Sequence, residues 1–211
     1  MANIGQSTFV GSVLVIQCDS SWNCCQREQA ANKVQCFNDK IEQDGPLNIR
    51  TTAEMNELKP FKKDWQSAEG QNLMNAMESS GDDAKAYAEE SGAPECLGNE
   101  IRDRTDAPDP DGAENLVDLD VQMDHPVDVK FGGDAAATLI PLDTAVNNAF
   151  GMVSRWTAND MLDAGEPQVT AVALYCPPDE GCAADWSNAG AGAIQEFLIE
   201  TPDAAGPIRN I

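Results

Sequence analysis

The chain has 211 residues, of which 13 are basic and 36 are acidic, so its formal net charge at pH 7 is −23. It contains no apolar run of roughly 18 residues, the length of a transmembrane helix, so we expect no membrane partner. The acidic balance disfavours general binding to nucleic acids, membranes and other polyanions.

Three explanations of this charge stay open: a solvated acidic face as in salt-adapted organisms, a surface for a basic partner, and cation binding. Acidic residues dominate between Glu78 and Asp128. The basic cluster KPFKKDW contains Lys59, Lys62 and Lys63. Charge alone therefore does not choose among the three explanations.

Residues 8–17, TFVGSVLVIQ, form the first apolar stretch. No basic residue precedes them and no small-residue cleavage site follows, which disfavours a secretory signal peptide. We interpret the stretch as a buried strand. Export would then use a route that does not recognise such a signal.

Seven cysteines are too few for a disulfide scaffold of this length, and their spacing fits no standard zinc site. They are Cys18, Cys24, Cys25, Cys36, Cys96, Cys176 and Cys182. Cys176 and Cys182 flank the turn-forming PPDEG and are a candidate disulfide in an oxidising compartment. The odd number leaves at least one thiol unpaired, unless two chains are cross-linked.

Residues 24–43 have the apolar spacing of a helix. The apolar residues on its one face are Ala30, Val34, Phe37 and Ile41. Thr51 and Glu54 form a capping-box pattern for a second helix, which Pro60 ends or interrupts. Residues 67–90 predict two short polar helices separated near Ser80.

Residues 91–115 are rich in Pro, Gly and Asp, which favours a long loop or linker. The alternation in 116–131 predicts a strand, and Gly132-Gly133-Asp134 predicts a turn. A second strand is expected over 137–143, followed by a helix that Asp143 or Thr144 caps and that runs to about Leu162. Further on, 169–176 predicts a buried strand and 193–200 a strand or short helix.

His125 is the one histidine of the chain, and Asp124 precedes it directly. Asn147 falls in the first turn of the helix that follows the second predicted strand. Asp124 and Asn147 supply hard oxygen ligands for a cation such as Mg²⁺. Such a metal stabilises a phosphate oxyanion, and an unligated His125 is then able to act as general base.

The pattern DHPVDVKFGG…TLIPLD…N resembles the signature of HNH (ββα-metal) nucleases. That signature has Asp-His, a Gly-Gly turn, and a Leu five residues before a His or Asn, as Leu142 is before Asn147. The stretch LDTAVNNAFG is similar to the C-terminal toxin domains of Rhs and other polymorphic toxins. The resemblance spans the 28 residues from Asp124 to Gly151.

The resemblance implies an α+β fold in which 116–211 holds an HNH-like core of a β-hairpin plus a helix. Residues 1–90 would then be a mainly helical N-terminal region and 91–115 a linker. The implied site residues are His125 and Thr138 for catalysis, Asp124 and Asn147 for a divalent metal such as Mg²⁺, and Lys130 and Arg155 for substrate phosphate.

Two positions depart from the family. Thr138 stands where an Asn orients the histidine, and Asn148 stands where a basic residue commonly follows. These changes permit weakened or lost activity, so two functions are carried forward. The first is a metal-dependent endonuclease toxin that cuts DNA, is exported into the cytoplasm of a competing cell, and is blocked by a cognate immunity protein. The second is a catalytically degenerate acidic binding module on an HNH scaffold.

Overall fold

A computed structural model describes residues 7–107, 116, 118–176 and 182, except for the side chains of residues 60–67. The fold is α+β. The helices are α1 Cys24–Asp44, α2 Thr52–Ser79, α3 Gly81–Glu90, α4 Glu95–Thr105, α5 Thr144–Met152 and α6 Ala158–Asp163. The strands are β1 Ser7–Val10, β2 Val13–Gln17, β3 Leu47–Asn48, β4 Val121–Asp124, β5 Ile140–Asp143, β6 Gln168–Val169 and β7 Ala171–Tyr175.

A three-stranded sheet joins the two ends of the described chain in the order β1-β2-β7. The stretch 8–17, predicted as one strand, is a hairpin: β1 pairs antiparallel with β2 through a turn at Gly11, where φ is +54°. Strand β7 lies parallel to β2, with Val13 opposite Ala171. The side-chain amide of Asn38 on α1 donates to the Val172 carbonyl at 2.8 Å and accepts from the Val172 N–H at 2.9 Å. Asn38 thereby satisfies both backbone groups of Val172.

Two hydrophobic cores stabilise the fold. The first lies between the three-stranded sheet and helices α1, α5 and α6, and includes Phe37, Phe131 and Phe150. The second lies among α2, α3, α4 and β4, and includes Leu73 and Ile101. The first core takes residues from both sides of 91–115. The predicted division into regions 1–90 and 116–211 stays a prediction.

The predicted starts of the N-terminal helices are confirmed. Helix α1 begins at Cys24 and ends at Asp44, and Thr51 and Glu54 form the capping box of α2. The break predicted near Ser80 is also confirmed, because Ser80 caps α3. The prediction for Pro60 was wrong, since α2 continues through it. The capping box before Pro60 and the buried Leu73 after it anchor the helix on both sides.

The prediction of a loop over 91–115 was wrong for α4, and residues 108–115 lie outside the described part of the chain. Leu97 and Ile101 lie one helical turn apart and are buried in the second core. Pro94 occupies the N-cap position, where a proline costs no intrahelical hydrogen bond. The proline therefore starts a helix that packs on α3.

The predicted order of strand, strand and helix is confirmed, because β4 pairs antiparallel with β5 and α5 follows directly with Asp143 as its cap. The first strand is shorter than predicted. After Asp124 the chain forms a 3₁₀ turn over Val129–Phe131. Helix α5 continues through a π-helical segment, Val153–Thr157, into α6. This agrees with the single helix that was predicted to run to about Leu162. The finer HNH-like character of this unit stays a prediction.

Steric constraints explain why two glycines follow the 3₁₀ turn. Gly132 has a φ of +86°, which disfavours residues with a Cβ. A Cβ on Gly133 would lie 1.9 Å from the carbonyl oxygen of Val127. The chain at Gly133 therefore passes so close to Val127 that only glycine fits.

Disulfides join Cys18 to Cys176, Cys24 to Cys182, and Cys25 to Cys96. The predicted pairing of Cys176 with Cys182 was wrong. The register that places Gln17 opposite Tyr175 brings the next two residues, Cys18 and Cys176, to a Cα–Cα distance of 4.7 Å.

Cys36 is a free thiol, as the odd number of cysteines required. The described helices include none with the length and apolar character to cross a membrane. Strand 169–176 is confirmed as β6 and β7, whereas the prediction for 193–200 lies outside the described residues.

Candidate functional site around His125

A buried ion pair lies at the centre of the predicted site. The Lys33 ammonium of α1 contacts the Asp124 carboxylate at the end of β4, and the two side chains are 0% and 6% exposed. The same ammonium donates to the His125 carbonyl at 3.0 Å and lies 5.1 Å from the centre of the Phe150 ring. Asp124 is therefore neutralised in a buried position by a cation that sequence reasoning did not assign to it.

His125 is fully buried beside this ion pair. Its Nε2 lies 3.2 Å from the carbonyl oxygen of Ala135, and because a carbonyl oxygen only accepts, the Nε2–H donates this hydrogen bond. Its Nδ1 lies 4.0 Å from an oxygen of Asp124. In this arrangement the imidazole holds the segment after β4 against the segment that leads into β5.

Asn147 and Thr138 lie outside this buried centre. Asn147 is half-buried on α5 and donates through its side-chain amide to Gln122, an exposed residue of β4. Thr138 is exposed. Asp143, which was expected to be the cap, accepts from the Ala145 N–H at 2.7 Å. The start of α5 thus places Asn147 against β4, where its partner is the exposed Gln122.

The two residues predicted to bind phosphate meet at Asn159. Lys130 is buried, and its ammonium donates to the Asn159 side chain at 2.9 Å. The Asn159 amide in turn donates to the backbone carbonyl of Arg155, whose side chain is exposed. Burial lowers the pKa of Lys130 from its ordinary value, and the charges of Asp128 and Glu54 partly oppose this shift. Of the two, only Arg155 presents its charge to solvent.

Arg50 fixes the loop that follows His125. Its guanidinium donates to the carbonyl oxygens of Val129 and, at 2.8 Å, Gly133. Its backbone N–H donates to the Lys130 carbonyl at 2.8 Å. These contacts attach both ends of the 3₁₀ turn to Arg50, which lies just before α2. The loop is therefore stabilised by a residue that belongs to neither β4 nor β5.

The two predicted Mg²⁺ ligands contact other side chains: Asp124 contacts Lys33, and Asn147 contacts Gln122. The Lys33 ammonium contacts one oxygen of the Asp124 carboxylate, the group that was predicted to bind the metal. Within the part of the chain that the structure describes, no group of three His, Cys, Asp or Glu side chains is arranged to hold a metal ion. The structure thus brings Asp124 and His125 together, and it gives Asn147, Lys130 and Thr138 other surroundings.

Lys33 is the residue of this centre that the prediction missed. It lies three residues after Ala30 and four before Phe37, on the apolar face of α1. A lone lysine at the helical spacing of a buried face indicates a buried partner, because a buried ammonium is stable only when it is paired. That pattern was present in the sequence, although it does not identify Asp124 as the partner.

Comparisons of the chain with protein-family models, with curated proteins and with solved structures gave no match. The likeness to HNH nucleases and Rhs toxin domains therefore stays a prediction that depends on the 28 residues from Asp124 to Gly151.

Proposed function

We propose that this chain is a disulfide-stabilised acidic binding domain for a basic protein partner. In this proposal the strand–strand–helix unit formed by β4, β5 and α5 is a structural framework. The observation that carries the proposal is the Lys33–Asp124 ion pair beside a His125 side chain that is 0% exposed. Asp124 and His125, which begin the pattern that resembles a nuclease, are both buried.

Catalysis by these residues would need solvent and substrate to reach them. A general base must come within hydrogen-bond reach of the proton that it removes, directly or through one water. The His125 ring has no exposed surface, and its Nε2 donates to Ala135. A metal cation at Asp124 would also have to compete with the Lys33 ammonium for this carboxylate. The geometry therefore favours a structural role for this centre.

Charge and disulfides support the binding role. A net charge of −23 attracts basic proteins and accelerates their association. Six of the seven cysteines form disulfides, a state that persists in oxidising compartments outside the cytosol. A protein ligand suits such a location better than nucleic acid, which shares the sign of this surface.

The test measures binding of the oxidised chain to a nona-arginine peptide by calorimetry at two salt concentrations. We expect binding that weakens as salt rises, because surface charges are screened over about 8–10 Å near physiological ionic strength. A peptide of nine citrullines, which has the same shape without the charge, is the control and should not bind. Equal binding of both peptides, or of neither, would contradict the proposal.

A second candidate is the metal-dependent endonuclease toxin with its immunity protein. The confirmed order of β4, β5 and α5 favours it, since an HNH core has this order. DNA as substrate, Mg²⁺ as cofactor and delivery into a target-cell cytoplasm all stay predictions. This candidate requires the buried centre to open when substrate and metal bind.

The nuclease test incubates the chain with plasmid DNA or RNA in the presence of Mg²⁺. Asn147→Ala is compared with Asn148→Ala, because the two asparagines are neighbours on α5 and only Asn147 belongs to the predicted site. Cutting that Asn147→Ala abolishes and Asn148→Ala retains would establish the nuclease and replace the binding proposal. Absence of cutting by the folded parent chain would exclude it for these substrates.

A further inference from the structure

An open pocket of about 390 Å³ lies next to the buried centre and is called the α1 pocket here. It lies between the second half of α1 and the segment 126–137, which connects His125 to β5. Its lining residues are Cys36, Asp39, Lys40, Gln43, Pro126, Val127, Asp134 and Ala137. Its volume is within the range of about 300–1,000 Å³ that is typical of ligand pockets.

Part of the lining is apolar. Pro126, Val127 and Ala137 contribute hydrocarbon surface, and Cys36 contributes a half-buried thiol. Burial raises the pKa of the Cys36 thiol above its ordinary value, and the nearby Asp39 carboxylate raises it further. A thiol whose ionised form is disfavoured is a poor nucleophile. Cys36 therefore contributes a thiol that reacts more slowly than a fully exposed one.

Two carboxylates face the pocket from different elements. Asp39 belongs to α1 and accepts from the Gln35 side chain at 2.6 Å. Asp134 belongs to the facing segment, is exposed, and accepts from the Ala136 N–H at 2.9 Å. Each bond uses one carboxylate oxygen, and neither carboxylate forms an ion pair within the described residues.

The lysine in the pocket lining is paired elsewhere. Lys40 lies 2.5 Å from the Asp44 carboxylate, one turn further along α1. Its charge is therefore offset by a residue that does not line the pocket. The remaining charges of the lining are the two carboxylates, so the pocket attracts a cation.

We propose that the α1 pocket binds one arginine side chain of the basic protein partner. The apolar lining suits the aliphatic stem of arginine. Its planar guanidinium presents donors along several edges and is able to contact carboxylates on two walls, whereas a lysine ammonium is a compact and more strongly hydrated charge. This inference depends on the proposed function, because it assigns the binding of a basic partner to a particular place.

The experiment uses the free Cys36 thiol as the reporter in the oxidised full-length chain. Iodoacetamide alkylates Cys36 more slowly when a ligand fills the pocket, so the rate at increasing peptide concentration gives a Kd. The probe is acetyl-Gly-Arg-Gly-amide, and the control is the same peptide with citrulline. We expect protection by the arginine peptide and none by the citrulline peptide.

Two variants locate the contact. Asp39→Asn and Asp134→Asn should each raise the Kd of the arginine peptide by about tenfold or more, because each removes one charge-assisted hydrogen bond. Asp82→Asn, at an exposed carboxylate on α3, should leave this Kd unchanged. Each rate is compared with and without peptide in the same variant, since Asp39 also affects Cys36.

Equal protection by both peptides, no protection, or a Kd that neither pocket variant changes would overturn the inference. Its failure is distinguishable from failure of the proposed function. If nona-arginine still binds the chain while the short arginine peptide leaves Cys36 unprotected, the acidic binding role stands and the pocket is not its arginine site.

Discussion

Helix α1 meets the segment 124–137 at two neighbouring places that differ in solvent and charge. At the first, Lys33, Asp124 and His125 are buried, and the charges of the ion pair cancel. At the second, Asp39 and Asp134 face an open pocket with an excess of negative charge. One pair of elements thus provides a closed polar centre and an open acidic surface. A sequence pattern that is typical of a catalytic or metal site therefore does not tell whether a residue lies in a buried centre or on an open surface.

The strongest way to break the closed centre is Lys33→Met. The substitution removes the ammonium that neutralises Asp124, and such a loss costs about 3–5 kcal/mol of unfolding free energy. The double variant Lys33→Met, Asp124→Leu removes both charges and should recover most of that loss. Urea unfolding of the three proteins measures this coupling. A loss below about 1 kcal/mol in the single variant would show that the pair does not stabilise the fold.

The loop shared by both places is tested by Gly133→Ala. The added Cβ would lie 1.9 Å from the Val127 oxygen, so the backbone must shift. We expect a loss of about 2 kcal/mol of unfolding free energy, within the usual range for a steric defect. Gly151→Ala is the matched control, because nothing lies within 4 Å of its added Cβ. Alanine at this helical position should stabilise by up to about 1 kcal/mol.

On the open side, the alkylation rate of Cys36 should depend on pH in a defined way. Burial and Asp39 disfavour the thiolate and raise the pKa, so the rate should still be rising at a pH where that of a fully exposed thiol has levelled off. Asp39→Asn removes the second cause and should move the profile to lower pH. A profile that matches an exposed thiol, measured by mass spectrometry, would contradict the described environment of Cys36.

The smallest expected effect concerns stability at the pocket. Asp39→Asn and Asp134→Asn should each change the unfolding free energy by less than about 0.5 kcal/mol, because these side chains contact solvent. Thermal unfolding beside the Lys33→Met variant provides the comparison. A loss of more than about 1 kcal/mol at either position would mean that the pocket carboxylates belong to the fold, as Asp124 does.

Local features of the fold were predictable from the sequence. The bounds of α1, the capping box of Thr51 and Glu54, and the Asp143 cap depend on residues only a few positions apart. The strand–strand–helix order also followed from periodicity. Helix α4 was missed because its flanking Pro, Gly and Asp residues outweighed the spacing of Leu97 and Ile101.

The features that decide the site depend on distant pairings. Lys33 and Asp124 are 91 positions apart, and Cys18 and Cys176 are 158 apart. No local pattern identifies such partners, because they meet only when the helix and the strands pack. The prediction placed His125 on the first strand, whereas it lies directly after β4, and it could not tell that the ring would be buried.

The two hydrogen bonds between the Asn38 side chain and the Val172 backbone occupy groups that a neighbouring strand would otherwise use. Exposed strand edges are templates for pairing between molecules and hence for fibrous aggregation. A foreign strand that approached β7 at Val172 would first have to displace this amide, and it would also have to approach a chain of strong negative charge. At high protein concentration, Asn38 therefore opposes the addition of strands from other molecules to β7.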